Sequence, residues 1–385
     1  MGTTIDPGER PVVILTVPFG SAHQKTAEAI RKSWNQAHRP APLEIIRLEE
    51  YLPQSVVSVF VKGYLGLITH MPWLFRTIYR RAREPGAGKT TLRFARILAK
   101  PVARRLLNRI GRQPGVWLST HPMTNSIIGA AMRIGSCREI NREAMAVLIT
   151  DHHFHAFWCY PDTDMYFVGR RRIQRTLIHR DIPASKIRFT GIPIDPEFIN
   201  RKSRLETENE LGLPPADYRI LLMGGGLGIG PIETLARSIA KLRIPVQLIV
   251  VAGQNAQLVH RLSNMPDHVI VYGYTNSIPA LMSISDLCLT KPGGLTLAEA
   301  AAVGLPTLLF EALPGHEEEN REILLRGGAA YCLGDLSRAS DVISALIHRR
   351  SFLTRLGRRM SKSGRPHASS DVADSLEQLW RKALR

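Results

Sequence analysis

Short apolar runs that alternate with helix-like stretches restrict the fold of this chain more than any other feature of its sequence. Val12 to Val17 and Gly115 to Ser119 are two such runs, and each leads through a turn into a stretch with helical periodicity. Continuous apolar runs of this length are typical of parallel strands that helices cover on both faces. The alternation therefore predicts a doubly wound α/β architecture.

The alternation occurs twice, which predicts two domains. It stops at Gly191 to Asn200, a stretch rich in proline and glycine, and it resumes at Tyr218. A chain of 385 residues is also too long for one ordinary core. We expect two Rossmann-like domains, residues 1–195 and 196–385. The tail from Ser340 is helical and amphipathic, and two placements of its helices are open, on the second domain or back on the first.

The cysteines and the N-terminus bear on the compartment. The four cysteines are scattered and form no CxxC pair, which argues against a zinc ribbon or a disulfide framework and favours a reducing, cytoplasmic environment. The first residues lack the charged region and the long apolar region of a signal peptide. Asp6 stands where N-myristoylation of Gly2 requires Ser or Thr. We therefore expect a cytoplasmic protein.

The net charge of +18 predicts an acidic partner, either nucleic acid or anionic lipid headgroups. Twelve lysine and arginine residues lie between Arg76 and Arg112, where Glu84 is the only acid. The preceding stretch, Val56 to Tyr79, is apolar and aromatic, but Pro72 makes it a poor transmembrane candidate. This combination favours a segment that lies in a membrane interface. The alternative is a core helix with a solvated basic face.

A motif that looks like a phosphate-binding P-loop does not meet the requirements of one. Residues Glu84 to Thr91 read EPGAGKTT, but Arg83 stands where the motif requires its first glycine. We therefore assign no P-loop.

Two glycine-rich turns follow predicted strands in the second half of the chain. The first lies between Met223 and Pro231, and the second follows Lys291. Glycine at such turns lets backbone N–H groups and a helix N-terminus approach a diphosphate, although the same pattern also suits a tight strand–helix turn. The candidate nucleotide-binding residues of these turns are Gly224, Gly225, Gly226, Gly228, Lys291, Gly293, Gly294 and Thr296.

Acidic residues follow the second turn. Glu299 lies one to two turns into the predicted helix, where a carboxylate can accept both hydroxyls of a ribose; the alternative is a solvated surface acid. The next strand ends before PGHEEEN, which supplies polar groups for sugar hydroxyls. These are His316, Glu317, Glu318 and Asn320. Because ligands of open α/β sheets sit beyond the carboxyl ends of the strands, the three segments together predict a nucleotide-sugar site.

These motifs resemble those of a known enzyme family. LLMGGGLGIGPIETLARSI and TKPGGLTLAEAAAVGLPTLLFEALPGHEEEN resemble the monogalactosyldiacylglycerol synthases and the bacterial processive diacylglycerol glucosyltransferases. These are GT-B enzymes related to the lipid II N-acetylglucosaminyltransferase. VPFGSAHQKTAEAI, VLITDHHFHAFW and KIRFTGIPIDPEF are similar to their N-terminal motifs, although the family carries more glycine at Ser21 and Ala22. The resemblance covers most of residues 12–335.

The resemblance implies a GT-B fold, with two Rossmann-like domains facing a cleft, and an inverting glycosyltransferase without a metal or another cofactor. It implies a UDP-glucose or UDP-galactose donor and a diacylglycerol or glycosyldiacylglycerol acceptor, with one or several sugars added. The enzyme would be peripheral, at the cytoplasmic face of the cell membrane, and would contact anionic lipids.

Two rival functions are open. One is a lipid-linked N-acetylhexosaminyltransferase with another acceptor. The other is a non-enzymatic, basic α/β protein that binds nucleic acid. Aromatic residues that could stack on bases are sparse among the basic ones outside the region of Trp73, which disfavours the second rival. We therefore expect no nucleic acid partner.

The reaction that the resemblance implies needs a base near the attacking hydroxyl. His23 and Asp151 each follow a predicted strand, and histidine titrates near neutral pH. Asp151 is either the base or a residue that orients His23 or the acceptor. A metal site at Asp151, His152, His153 and His155 is the alternative, but this spacing without further ligands is a weak metal pattern, and we assign no metal ligand.

Overall fold

The computed structural model describes residues 10–17, 21–52, 54–55, 57–58, 63, 66, 70–81, 99–108, 114–135, 143–242, 244–310 and 315–384. The chain divides into two compact units: the described residues of Met1–Pro193 with His367–Arg385, and those of Ile194–Pro366. The apparent P-loop, Glu84 to Thr91, lies outside the described residues, as do much of the basic run from Arg76 to Arg112 and part of the apolar stretch that precedes it.

The first unit is built on a six-stranded parallel sheet in the order β2-β1-β3-β4-β5-β6. Its strands are β1 (Val12–Thr16), β2 (Leu43–Arg47), β3 (Val116–Ser119), β4 (Ala144–Ile149), β5 (Met165–Val168) and β6 (Ile187–Phe189). Its described helices are α1 (Ser21–Gln36), α2 (Pro72–Arg81), α3 (Pro122–Gly135), α4 (Arg171–Ile178) and the C-terminal helix (Ala368–Ala383), and residues 99–108 are helical too. Short 3-10 helices are Leu48–Tyr51, Ala156–Trp158 and Ala184–Lys186. The central strands β1, β3 and β4 are buried along their whole length, as their apolar sequences predict.

The second unit repeats this architecture with the strand order β12-β11-β10-β7-β8-β9, again parallel throughout. Its strands are β7 (Arg219–Met223), β8 (Gln247–Val251), β9 (Val269–Tyr272), β10 (Leu287–Thr290), β11 (Thr307–Leu309) and β12 (Tyr331–Cys332). Its helices are α5 (Arg204–Leu211), α6 (Ile232–Ile239), α7 (Ala256–Arg261), α8 (Ile278–Ser283), α9 (Gly294–Val303), α10 (His316–Arg326), α11 (Ala339–Ile347) and α12 (Arg350–Ser363), with 3-10 helices at Pro196–Phe198 and Leu336–Arg338.

Two sheets with helices confirm the predicted α/β class. One strand was not predicted: β12 has only two residues and follows Gly327 and Gly328, so it is too short to show the alternation of a strand. It exists because Leu308 and Leu309 of β11 offer it a neighbouring backbone edge.

The C-terminal helix packs in the first unit, against α1 and the start of β1. Its Trp380 donates a hydrogen bond from Nε1 to the carbonyl oxygen of Arg10 at 2.7 Å. Arg39, just beyond α1, forms ion pairs with Asp374 and Glu377 of the C-terminal helix. The last helix of the chain therefore belongs to the unit that contains the first strand.

Each sheet has one place where the chain reverses the direction in which it adds strands. In the second unit, β7 and β10 are neighbours, while β8 and β11 lie on their outer sides. In the first unit, β1 and β3 are neighbours, with β2 outside β1. Loops that leave such neighbouring strands diverge to opposite faces of the sheet and leave a crevice at their carboxyl ends, which is where ligands of open α/β sheets bind.

Among the helices of the described residues, none has the length and apolar content needed to cross a bilayer.

Candidate functional site

The first glycine-rich turn leaves β7 at the crevice of the second sheet. Gly225, Gly228 and Gly230 have positive φ angles of 72°, 61° and 122°. A Cβ atom at Gly228 would overlap the carbonyl oxygen of Ala252, and one at Gly224 would overlap Ile229 and Ile232. These two glycines are therefore required by the packing of the chain itself, as the tight-turn alternative supposed. Gly225 differs, because among the described residues a Cβ there would meet only the side chain of Lys291.

Replacement of Gly228 by alanine tests this steric requirement, and Gly212 supplies a matched control. Both residues have φ near +60°, but a Cβ at Gly212 would meet no atom of the described residues within 4 Å. Gly212→Ala should cost only the left-handed backbone penalty, about 1–2 kcal/mol. Gly228→Ala should destabilise the protein more, because the Ala252 backbone must also move. Thermal unfolding of both variants measures the difference, and equal losses would show that Gly228 is not sterically restricted.

The second turn follows β10, on the neighbouring strand of the same crevice. Lys291 forms an ion pair with Glu317 of α10, and Asn320 donates a hydrogen bond from Nδ2 to the carbonyl oxygen of Pro292 at 3.1 Å. A Cβ at Gly293 would lie 3.8 Å from Glu317 Oε1, 3.9 Å from Lys291 Nζ and 4.0 Å from Thr296 Oγ1. Side chains from the turn and from α10 therefore surround the start of α9 at Gly294, and Lys291 also borders the first turn at Gly225.

The acidic residues predicted to bind the donor have different surroundings. Glu299 on α9 is only 7% exposed, which is inconsistent with the solvated-acid alternative. Glu317 is 1% exposed, in contact with the Lys291 ammonium. Glu318 accepts the backbone N–H of Gly315 at 3.1 Å and so caps α10. His316 begins α10, but its side chain lies outside the described residues.

In the first unit, His23 lies in the first turn of α1, next to the loop that follows β4. Its Nδ1 lies 3.3 Å from Thr150 Oγ1. Asp151 is the next residue after Thr150, so the structure brings the two predicted base candidates to neighbouring chain segments. The ring of His23 also meets His121 edge to face, with 5.0 Å between the ring centroids and 88° between the planes.

His121 was not among the predicted site residues. It follows β3, the neighbour of β1 in the sheet, and it immediately precedes α3. The sequence held a signal for it, since Thr120, His121 and Pro122 follow a predicted strand, as the other candidates do. What the sequence lacked was the strand order that places the end of β3 beside the end of β1.

The histidines that follow Asp151 are buried in the loop after β4. His152 Nδ1 accepts a hydrogen bond from Arg170 Nε at 3.1 Å. The ring centroids of His153 and His155 lie 6.1 Å apart. Within the described part of the chain, no group of three or more His, Cys, Asp or Glu side chains is arranged to hold a metal ion.

Comparison with known proteins places both units in glycosyltransferase families. The model of the monogalactosyldiacylglycerol (MGDG) synthase family matches residues 23–194, and the model of the glycosyltransferase family 28 C-terminal domain matches residues 219–379. Processive diacylglycerol beta-glucosyltransferases of Bacillus cereus (strain AH187) and Bacillus thuringiensis (strain Al Hakam) are each 26% identical to this chain over 373 residues. Each alignment covers 95% of this chain and 92% of the relative.

Solved structures share the fold. MurG of Acinetobacter baumannii superimposes with a TM-score of 0.59 at 16% identity, over 96% of this chain and 99% of that one. The UDP-GlcNAc 2-epimerase of Neisseria meningitidis, solved with UDP-GlcNAc bound, gives a TM-score of 0.59 at 16% identity, over 95% and 100% of the two chains.

The paired parallel sheets and the family matches define the class: this protein is a GT-B glycosyltransferase. Within that class, residues 23–194 match the family of the monogalactosyldiacylglycerol synthases, and nearly the whole chain is similar to the processive diacylglycerol glucosyltransferases.

Proposed function

We propose that this glycosyltransferase moves a hexose from UDP-glucose or UDP-galactose to diacylglycerol, with inversion at the anomeric carbon. The observation that carries the proposal is the cluster at the crevice of the second sheet, where Lys291 lies between the two glycine turns and contacts Glu317. A partly buried cation beside two glycine turns suits a diphosphate, and acids next to it suit sugar hydroxyls. The acceptor is proposed from the relatives, which are named as diacylglycerol glucosyltransferases. The alignment with them covers nearly the whole length of both chains.

On the donor side, each group has a separate task. Backbone N–H groups of the turn at Gly225 and of the α9 N-terminus at Gly294 would bind the diphosphate, and the Lys291 ammonium would offset its growing charge as UDP leaves. Glu299 would accept the ribose hydroxyls, and Glu317 with Asn320 would bind the hexose. Fixed donors and a positive charge of this kind stabilise a leaving diphosphate without a metal, so we propose a metal-independent reaction.

On the acceptor side, His23 is the proposed base and Asp151 the alternative. The hydroxyl of diacylglycerol gives its proton to His23, and its oxygen forms the new bond to the anomeric carbon. The bond from that carbon to UDP breaks, and its electron pair leaves with UDP. Thr150 Oγ1, 3.3 Å from His23 Nδ1, holds one edge of the ring.

We place this reaction at the cytoplasmic face of the cell membrane. Trp73 at the start of α2 is 65% exposed and the preceding Met71 is 43% exposed. Arg76 and Arg81, also exposed, follow on the same helix. Aromatic and apolar side chains beside arginines are the composition of helices that lie in an anionic bilayer surface.

Product formation on vesicles tests the proposed function. Diacylglycerol would be supplied in anionic and in neutral vesicles, with UDP-glucose, UDP-galactose or UDP-GlcNAc as the donor, with and without EDTA. We expect a glycolipid from a hexose donor, more of it on anionic vesicles, and no effect of EDTA. Product from UDP-GlcNAc alone would instead favour the N-acetylhexosaminyltransferase. If no donor reacts and the protein binds oligonucleotides rather than vesicles, the nucleic-acid alternative is correct.

Glu299→Gln tests the ribose contact. Loss of charge-assisted hydrogen bonds to two hydroxyls should weaken UDP binding about 10–100-fold. Thermal unfolding should change little, because the amide has the size and shape of the carboxylate. Glu322→Gln is the matched control, since Glu322 is an exposed acid on α10 that pairs with Arg326. Calorimetric titration with UDP decides the question, and equal affinities in the two variants would remove Glu299 from the donor site.

A further inference from the structure

Several hydrogen bonds fix the backbone at His121, the second residue after β3. Its carbonyl oxygen accepts hydrogen bonds from Thr124 Oγ1 at 2.7 Å and from Ser119 Oγ at 3.0 Å. The preceding residue, Thr120, donates from Oγ1 to the carbonyl oxygen of Leu15 at 3.2 Å, which ties the end of β3 to the end of β1. The backbone of His121 is therefore fixed relative to both central strands.

A backbone hydrogen bond also determines which nitrogen of the His121 ring carries a proton. The N–H of Met123 donates to His121 Nδ1 at 3.1 Å. An imidazole nitrogen that accepts such a bond has no proton, so the neutral ring carries its proton on Nε2. This N–H belongs to the first turn of α3, where N–H groups lack partners within the helix. Protonation of Nδ1 would break the bond.

The charge state of His121 follows from its surroundings. Although the residue as a whole is only partly buried, enclosure of its ring holds the pKa of His121 well below its ordinary value, and the neighbouring His23 and His155 lower that pKa further. Among the described residues, the titratable groups that lower the pKa of His121 are His23 from α1 and His155 from the loop after β4. His121 stays neutral at neutral pH.

We propose that His121 is a positioning residue for His23: it fixes the orientation of the His23 imidazole and keeps the abstracted proton on His23 alone. The edge-to-face contact at 5.0 Å sets the ring orientation. Because His121 is locked as a neutral ring, it does not compete with His23 for the proton of the acceptor hydroxyl. This inference rests on the proposed role of His23 as the base.

A double-mutant cycle tests whether His121 acts through His23. His121→Asn keeps an oxygen near the Nδ1 position, where it can still accept the Met123 N–H, but it removes the ring. We expect kcat to fall about 10–100-fold, as for a base displaced by a fraction of an ångström, with UDP affinity unchanged. In a His23→Ala background, His121→Asn should cause no further loss. Full kcat in the single variant, or losses that multiply in both backgrounds, would overturn the proposal.

A second variant and a second measurement cover the remaining outcomes. If His121→Asn unfolds at assay temperature, His121→Gln replaces it in the same cycle with the same expected pattern. Histidine ¹⁵N NMR of the full chain needs no substrate. We expect His121 to remain the neutral Nε2–H tautomer as the pH falls from 8 to below the ordinary histidine pKa of about 6.5. A His121 that titrates normally would refute the locked ring even if no acceptor is found. A wild type with the expected NMR signals but no product would refute the proposed function instead.

Discussion

His23→Ala is expected to lower kcat about 100- to 10,000-fold, the range that a general base contributes. UDP affinity should stay within a factor of two of wild type, because the proposed UDP contacts lie in the second unit and His23 lies in the first. His179→Ala is the matched control, since His179 is an exposed histidine of the same unit at the end of α4. Initial rates at saturating donor and calorimetric titration with UDP measure the two quantities.

The same experiment decides between the two base candidates. If His23→Ala retains full activity, the base is not His23, and Asp151→Asn should then show the large loss. If both variants lose activity but only His23→Ala abolishes the acidic limb of the pH–rate profile, Asp151 orients the base or the acceptor. Asp151 follows Thr150, whose hydroxyl contacts His23, so the two base candidates lie on neighbouring chain segments.

Lys291→Met is expected to weaken UDP binding roughly 100-fold and to lower kcat by a similar factor, because it removes the positive charge that we propose to face the diphosphate. It also leaves Glu317 buried without this ammonium, which should lower the unfolding temperature. The double variant Lys291→Met with Glu317→Gln should recover stability but not UDP binding. Lys241→Met, a change at an exposed lysine of the same unit, is the control.

Glu317→Gln alone should act in the opposite direction on UDP. In the ligand-free protein Glu317 pairs with Lys291, and the diphosphate of UDP would have to compete with it for that ammonium. The amide side chain of the Glu317→Gln variant is uncharged, so UDP affinity should be equal or a few-fold tighter. The additional affinity that the hexose of a UDP-hexose contributes should fall, because Glu317 is a proposed hexose contact. Competitive titration with UDP and UDP-glucose measures both the UDP affinity and the additional affinity from the hexose. Weaker UDP binding in this variant would mean that Glu317 holds Lys291 in place for the diphosphate.

The sequence determined the parts of this protein that depend on local patterns. Apolar runs such as Val12 to Val17 predicted the strands, because a parallel strand that helices cover on both faces must be apolar along its length. Glycines after β7 and β10 indicated turns at which a backbone can approach a ligand. Motifs that span both units predicted the family, which the family models and the diacylglycerol glucosyltransferase relatives confirm.

Only the tertiary structure decided which of these local features meet. Lys291 and Glu317 are 26 positions apart, and His23 and His121 are 98 apart. Each pair forms because the strand order makes β10 a neighbour of β11, which leads into α10, and β3 a neighbour of β1. Strand order is set by the packing of helices across a whole sheet, which no local periodicity encodes. For the same reason the sequence left the surroundings of Glu299 open and missed His121, whose role depends on a ring from another segment.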